Sequence, residues 1–304
     1  MEIVVSGASG FIGSRLVPAL ERRGHRVVRL TRGDAAGDGD SIVWDPAAGQ
    51  LDAASLEGTD AVVHLAGESI GERRWSEQQK ARLLQSRTRG TSLLSEALAG
   101  LDRPPSVLLS GSAIGIYGDR GDEILTEEAA VGEGFLADVC QAWEAASGLA
   151  RQAGVRVANL RTGIVLAAKG GALGRMLPLF RFGLGGRLGS GNQWMSWISI
   201  DDHIEATCWL LDHDVEGPVN LTAPEPVTNA DFTETLGGVL SRPTVLPTPM
   251  LPLKARYGSE MVAETLLASQ RVQPAALEAG GFGFRHADLD DALRAILARP
   301  AELA

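Results

Sequence analysis

The sequence predicts an α/β protein: a doubly wound parallel sheet with a smaller, mainly helical C-terminal lobe. Three observations carry this expectation. The chain opens on a short apolar strand, a glycine-rich turn and an amphipathic helix. Apolar strand-like runs then alternate with helical stretches, the pattern of a parallel sheet covered on both faces. Beyond Ala223 the strands give way to helical segments, with starts near Thr228, Pro274 and Asp288.

The opening stretch organises the rest. Ile3 to Val5 read as a buried strand and Phe11 to Arg23 as the following helix, with Gly7, Gly10 and Gly13 in the turn. A nucleotide pyrophosphate needs such a turn. One glycine permits the backbone reversal, the second lets the main chain approach the phosphates, and the third lets the helix pack close to the strand. The phosphates then meet free N–H groups at the positive end of the helix. A plain strand–helix turn can carry the same glycines; the flanking strand and amphipathic helix favour the dinucleotide site.

A second strand, Arg26 to Leu30, leads into Thr31 and Arg32. A basic residue here can pair with the 2′-phosphate of NADP, whereas an acidic one takes the ribose hydroxyls of NAD. Arg32 favours NADP(H), and Asp34 keeps NAD in play. Residues 33–40 are turn-formers throughout and read as a mobile loop. Ser41 to Trp44 is a short third strand. Asp60 to Gly67 is an apolar strand ending in small residues, which leave room for adenine and ribose at its carboxyl end. His64 on it reads as a half-buried histidine held by backbone groups, not as a catalytic one. Ser76 to Leu98 forms a long helix, capped by Ser76 and favoured by Glu77 in its first turn. Arg82 and Arg87 lie along it as candidates for cofactor phosphates or ribose.

The strand Val107 to Ser110 runs into Ser112 and Tyr117. Val155 to Arg161, Asp201 to Leu211 and Val219 to Thr222 then continue the strand–helix–strand alternation, with a capping-box-like Thr228-x-x-Asp231 opening the next helix. Residues 1–166, joined by 201–223, form the expected dinucleotide-binding domain, and 167–200 with 224–304 the smaller substrate lobe. Glycine-rich 167–200 is expected to cover the cleft.

Bulk properties exclude several classes. With 28 basic and 38 acidic side chains the net charge is −10, which leaves no basic footprint for nucleic acid or an anionic membrane. No apolar run approaches the ~18 residues of a membrane span, and the N-terminus carries no signal-peptide pattern. Two isolated cysteines, Cys140 and Cys208, make neither a disulfide framework nor a zinc site. The expected setting is the cytoplasm and the expected partner a small-molecule substrate. A homodimer is left open.

From the apolar strand, the serine pair and Tyr117-Gly118 onward, the chain resembles the extended short-chain dehydrogenases/reductases, the sugar-nucleotide epimerase and dehydratase family with its Rossmann-type fold. Gly7-x-x-Gly10-Phe11-Ile12-Gly13 matches the cofactor fingerprint, His64-Leu65-Ala66-Gly67 the adenine-side motif, and Arg161-Thr162-Gly163-Ile164-Val165-Leu166 the strand and turn near the nicotinamide. Trp197 to Asp202 matches a segment that opens a late helix. An atypical "epimerase family protein" branch is more similar still, through His64 to Glu68, Arg74-Trp75, Ser86-Arg87, Cys140-x-x-Trp143-Glu144, Gly185 to Trp194, Asn220 to Pro224 and the region of Gln270 to Pro274. The resemblance implies NADP(H) held by Gly7, Ser9, Gly10, Phe11, Ile12, Gly13, Thr31, Arg32, Leu65, Ala66, Gly67, Arg87 and Gly163. Ser112 and Tyr117 are its catalytic candidates, with Glu68 and Cys140 as further proton carriers.

One departure bears on function. The family's Tyr-x-x-x-Lys pair supplies the general acid/base and the lysine that lowers its pKa and holds the ribose. Counting back from Glu144, those two positions hold Leu136 and Cys140. Three readings follow: an NADP-dependent oxidoreductase or epimerase with non-standard groups, acting on a small molecule such as a nucleotide sugar; a non-catalytic NADPH-responsive binding protein; or an inert relic of the fold.

Overall fold

A computed structural model describes residues 1–33 and 40–298. Asp34 and most of the expected 33–40 loop lie outside the described residues. The strands are β1 Glu2–Ser6, β2 Arg26–Thr31, β3 Ser41–Asp45, β4 Gln50–Leu51, β5 Ala61–His64, β6 Val107–Ala113, β7 Ile124–Leu125, β8 Arg156–Thr162, β9 Ile164–Leu166, β10 Trp194–Met195, β11 Trp197–Ser199, β12 Gly217–Leu221, β13 Val227–Thr228 and β14 Arg271–Val272. The helices are α1 Gly13–Arg22, α2 Glu77–Ala99, α3 Phe135–Ala145, α4 Gly148–Gln152, α5 Gly171–Arg181, α6 Ile200–Asp212, α7 Asn229–Leu240, α8 Met250–Tyr257, α9 Ser259–Val262, α10 Ala275–Ala279 and α11 Leu289–Ala298.

Eight strands form the main sheet in the order β12-β8-β6-β5-β1-β2-β3-β4. Every pairing in it is parallel except β3 with the two-residue β4. Strands buried on both faces read as unbroken apolar runs, which is why Ile3-Val4-Val5 and Ala61-Val62-Val63 are fully enclosed. Alternate residues of each strand feed opposite layers. Ile3, Val5, Val63 and Leu109 pack under α1 and α6, whereas Val4, Val62 and Leu108 pack under α2 and α4. The chain order reverses between β1 and β5, and an open α/β sheet binds its ligand at the carboxyl ends of the strands flanking that point.

Several helix starts follow from capping chemistry. Ser76 accepts the Gln79 N–H at the head of α2, and Thr228 and Asp231 close a full capping box on α7. Regular α1 begins at Gly13 and not at Phe11, because residues 7–12 are taken up by the turn, although the Ser14 N–H already bonds the Gly10 carbonyl. The 167–200 stretch is less loop-like than its glycines imply: α5 runs through it, burying Leu173, Leu177 and Phe180. α5, α7 and α11 share a core of Leu173, Phe180, Phe232, Leu236 and Leu293. Among the described residues no helix is long and apolar enough to cross a membrane.

Candidate functional site

The phosphate-type turn is built by close approach. Gly7 has φ of +71°, and a Cβ added there would stand 2.8 Å from the Leu65 carbonyl carbon. At Gly13 a Cβ would lie 2.2 Å from the Gly7 oxygen. Only glycine lets the end of β1, the end of β5 and the start of α1 meet so tightly. Gly10 differs: it is exposed, its N–H bonds the Gly7 carbonyl, and a Cβ there meets only that oxygen, at 3.1 Å. Ser9 is exposed beside it. Ile12 is half-buried and directly precedes α1, while the half-buried Phe11 lays its ring against Gly170 and Gly171, with the Arg15 guanidinium over it.

Leu65, Ala66 and Gly67 have left the sheet just past β5. Ser6 ties them to β1: the Leu65 N–H donates to its carbonyl and the Ala66 N–H to its hydroxyl. His64 corrects the sequence expectation. It is fully buried and held by side chains, Ser6 Oγ at 2.6 Å from Nδ1 and Thr91 Oγ1 at 3.0 Å from Nε2. Thr91 spends its own proton on the Arg87 carbonyl, so Nε2 must carry the imidazole hydrogen and Ser6 must donate to Nδ1. Burial lowers the His64 pKa to about 4, and does the same to His203 on α6.

These two imidazoles give a pH prediction. Each stays neutral in the folded state below the ordinary value near 6.5, where the unfolded chain takes up a proton. Their contribution is therefore present at neutral pH and lost as pH falls toward 4. Between pH 7 and pH 5 linkage gives a combined loss of about 3–4 kcal/mol. Urea unfolding at the two pH values reads it, and an unchanged midpoint would contradict the assignment.

Two polar side chains stand out at the carboxyl edge. Thr31 Oγ1, at the end of β2, is buried with no hydrogen-bond partner among the described residues. Arg87 makes no ion pair among the described residues; its guanidinium donates to the Leu83 carbonyl, lies over Trp143 at 5.0 Å and packs against Gly67. Burial lowers its pKa, and Glu68 and Cys140 offset this only in part. Arg32 is exposed next to Thr31. Arg82 points elsewhere, donating to Gln79, which in turn holds Glu68. Gly163 sits where β8 turns into β9, its N–H bonded to the Leu221 carbonyl.

The catalytic candidates sit in one buried polar chain. Ser112, 4% exposed near the end of β6, lies 2.7 Å from Glu144 Oε1. Glu144 is gripped on both oxygens by Arg161, at 2.8 and 3.0 Å, so it accepts only and Ser112 must donate. Arg161 also donates to the Tyr117 hydroxyl, which donates to Asn220 Oδ1. Burial works against the Arg161 cation, but its bonds to Glu144 and Tyr117 outweigh this and hold its pKa above the usual value. Tyr117 needs correction as a catalytic group. It has no exposed surface, and burial pushes its pKa up against a partial offset from Arg161. Its place is inside, steadying Arg161.

Leu136 and Cys140, at the positions counted back from Glu144, both lie on α3. Leu136 packs with Trp75, Leu83 and Met261. Cys140 is 3% exposed, and burial pushes its thiol up to about 12, which rules it out as a proton carrier near neutral pH.

A family model described as the NAD dependent epimerase/dehydratase family matches residues 3–222. The chain belongs to that family. A second model, a domain of unknown function (DUF1731), matches 248–296. An epimerase family protein of Mycobacterium bovis is 44% identical over 299 residues, covering 98% of each chain. The crystal structure of human epimerase family protein SDR39U1 (isoform 2) with NADPH superposes with a TM-score of 0.89 at 33% identity, covering 99% of this chain and 100% of the human one. A nucleoside-diphosphate sugar epimerase from Corynebacterium glutamicum reaches a TM-score of 0.79 at 36% identity, over 98% of this chain and 58% of its own.

Sequence reasoning did not pair Glu144 with Arg161, although both stood in quoted motifs; a 17-residue separation across α3 and β8 carries no periodic signal. It also missed α8, α9 and Glu264, where no cap or apolar period marks the segment.

Proposed function

We propose that the chain is an NADP(H)-dependent oxidoreductase or epimerase with a non-standard active site, acting on a small molecule such as a nucleotide sugar. The observation that carries this reading is the intact cradle at the β1–β5 switch point, with the Thr31 hydroxyl, unpartnered among the described residues, and the exposed Arg32 at the end of the neighbouring strand β2. The NADPH in the human relative's structure supports the choice of cofactor. Gly7, Ser9, Gly10, Phe11, Ile12 and Gly13 would hold the pyrophosphate, Thr31 and Arg32 the 2′-phosphate, Leu65, Ala66 and Gly67 the adenine side, Arg87 a phosphate or ribose, and Gly163 the nicotinamide side. The cofactor, when bound, supplies hydride chemistry, and the protein orients the acceptor and handles the proton. Ser112 is the residue proposed to orient the substrate, by accepting a hydrogen bond from it. With its own hydrogen committed to Glu144, it offers lone pairs outward, so a substrate hydroxyl suits it better than a carbonyl.

The same lock favours a second reading, a binding protein that holds NADPH without turnover, since neither Ser112 nor Tyr117 has a free proton to give. NADPH oxidation against sugar nucleotides, quinones and small carbonyls, with Ser112→Ala alongside, separates the two. Turnover that falls in the variant supports catalysis; binding without turnover supports the sensor.

Arg32→Ala is expected to weaken NADPH roughly ten- to a hundredfold and leave NADH unaffected, since a hydrogen bond to a charged group contributes about 1.5–3 kcal/mol. Calorimetry with both cofactors reads this. Equal wild-type affinities would contradict the NADP preference.

A further inference from the structure

We propose that residues 258–272, all of them within the domain of unknown function, form a clasp over the cofactor-binding edge of the sheet, with Glu264 as its positioning residue. The inference rests on the reading of that edge as the NADP(H) site.

Two long connections leave neighbouring strands at the carboxyl edge, from β5 to α2 and from β6 to α3, and this one segment touches the first and both ends of the second. At the loop after β5, Gly258 packs on Arg74, and Met261 joins Trp75, Leu83 and Leu136 in an apolar junction. At the loop after β6, Gln270 donates to the Ile114 and Gly118 carbonyls, and the Ser269 N–H donates to Asp119. At the head of α3, Glu264 takes the Phe135 N–H at 3.1 Å on one oxygen and the Leu136 N–H at 2.8 Å on the other. Lys80 on α2 adds an ion pair to Glu260 at 2.7 Å and lies over the Phe135 ring.

The Glu264 contact differs from an ordinary cap. The first N–H groups of a helix lack internal partners, and a carboxylate there satisfies them and complements the helix dipole. Such caps usually come from the preceding residue. Gly134 has no side chain to offer, and the carboxylate arrives from a segment 128 residues away in sequence. The position of α3 is thereby tied to the closure of the C-terminal segment. A π-helical turn over Ala263–Leu267 sets Glu264 at this reach, and turns of this kind occur often at functional sites.

A cofactor grip is what this chain lacks on α3. The lysine that holds the ribose in the extended family is replaced by Cys140, a buried neutral thiol. The clasp compensates from above: while Glu264 holds the first turn of α3, the loops after β5 and β6 stay together and the dinucleotide leaves slowly.

The test is the rate of NADPH release, by stopped-flow displacement, together with amide exchange at Phe135 and Leu136. Glu264→Gln is the main variant. Lys80→Met, which removes the partner of Glu260 on the same segment, is the second. Release is expected to rise about tenfold in Glu264→Gln, the scale of one charge-assisted hydrogen bond, and by a smaller factor in Lys80→Met. Exchange should accelerate at the head of α3 and stay unchanged in β1, β5 and β6. Unchanged release in both variants would overturn the clasp, as would exchange that rises evenly across the sheet. If the wild type binds no NADPH, the cofactor reading fails, and exchange at Phe135 and Leu136 alone judges the clasp: faster in Glu264→Gln upholds it, unchanged overturns it.

Discussion

Gly10→Val is expected to abolish binding of NADPH and NADH while leaving the chain folded. The three turn glycines are not equivalent probes. Any side chain at Gly13 would run into the Gly7 carbonyl at 2.2 Å, and Gly7 needs its positive φ, so substitution at either disturbs the turn itself. Gly10 is exposed, has no positive φ and meets only one carbonyl oxygen. A valine there asks only for a small shift of the Gly7 carbonyl, 3.1 Å from the added Cβ, but fills the space that a pyrophosphate needs in order to reach the backbone N–H groups. The loss should be roughly a hundredfold or more, about 3 kcal/mol. Calorimetry on a variant with native circular dichroism checks it, and wild-type affinity in that variant would remove the turn from the site.

The second large effect concerns stability. Glu144→Ala should destabilise the fold by about 3–5 kcal/mol, because it strands the Arg161 cation in the interior. The pair has side-chain exposures of only 7% and 14%, and Arg161 also loses both of its carboxylate bonds. The double variant Glu144→Leu with Arg161→Met should cost much less, since it removes the charges together and replaces them with apolar volume. Urea unfolding of the two variants decides the point. If the double variant is as unstable as the single one, the cost lies in packing and not in an unpaired charge.

The legible part of this molecule was the part governed by local rules. The strand–turn–helix at Gly7, Gly10 and Gly13, the cap at Ser76 and the capping box at Thr228 each follow from a few neighbouring residues, and the structure has all three. The parallel sheet followed from apolar runs separated by helical stretches. What was not legible depends on contacts between distant segments. His64 looked half-buried because nothing in sequence shows that Ser6 and Thr91 converge on its ring. Tyr117 looked available because the Arg161 and Asn220 side chains that enclose its hydroxyl come from 44 and 103 residues away. α5 was hidden by glycines at its start, and Glu264 by a segment whose packing surface belongs to the connections after β5 and β6.

The Ser112–Glu144 bond sets the chemistry that remains. A serine whose hydrogen is held by a paired carboxylate is a poor donor to a carbonyl oxygen. In the proposed reading Leu136 stands where the family has the tyrosine that supplies such a donor, and acid–base help of this kind contributes typically ~10²–10⁴-fold. Any turnover should therefore be slow by the standard of family members that keep the pair.

The central claim is that a dinucleotide phosphate lies across the β1–β5 switch point with its 2′-phosphate at Thr31 and Arg32. A crystal structure of the protein grown with NADPH tests it most directly. Density for the pyrophosphate against Gly7 to Gly13, with the 2′-phosphate bonded to the Thr31 hydroxyl and the Arg32 guanidinium, is the predicted result. A cofactor seated elsewhere, or one whose adenine ribose turns away from both residues, would contradict it.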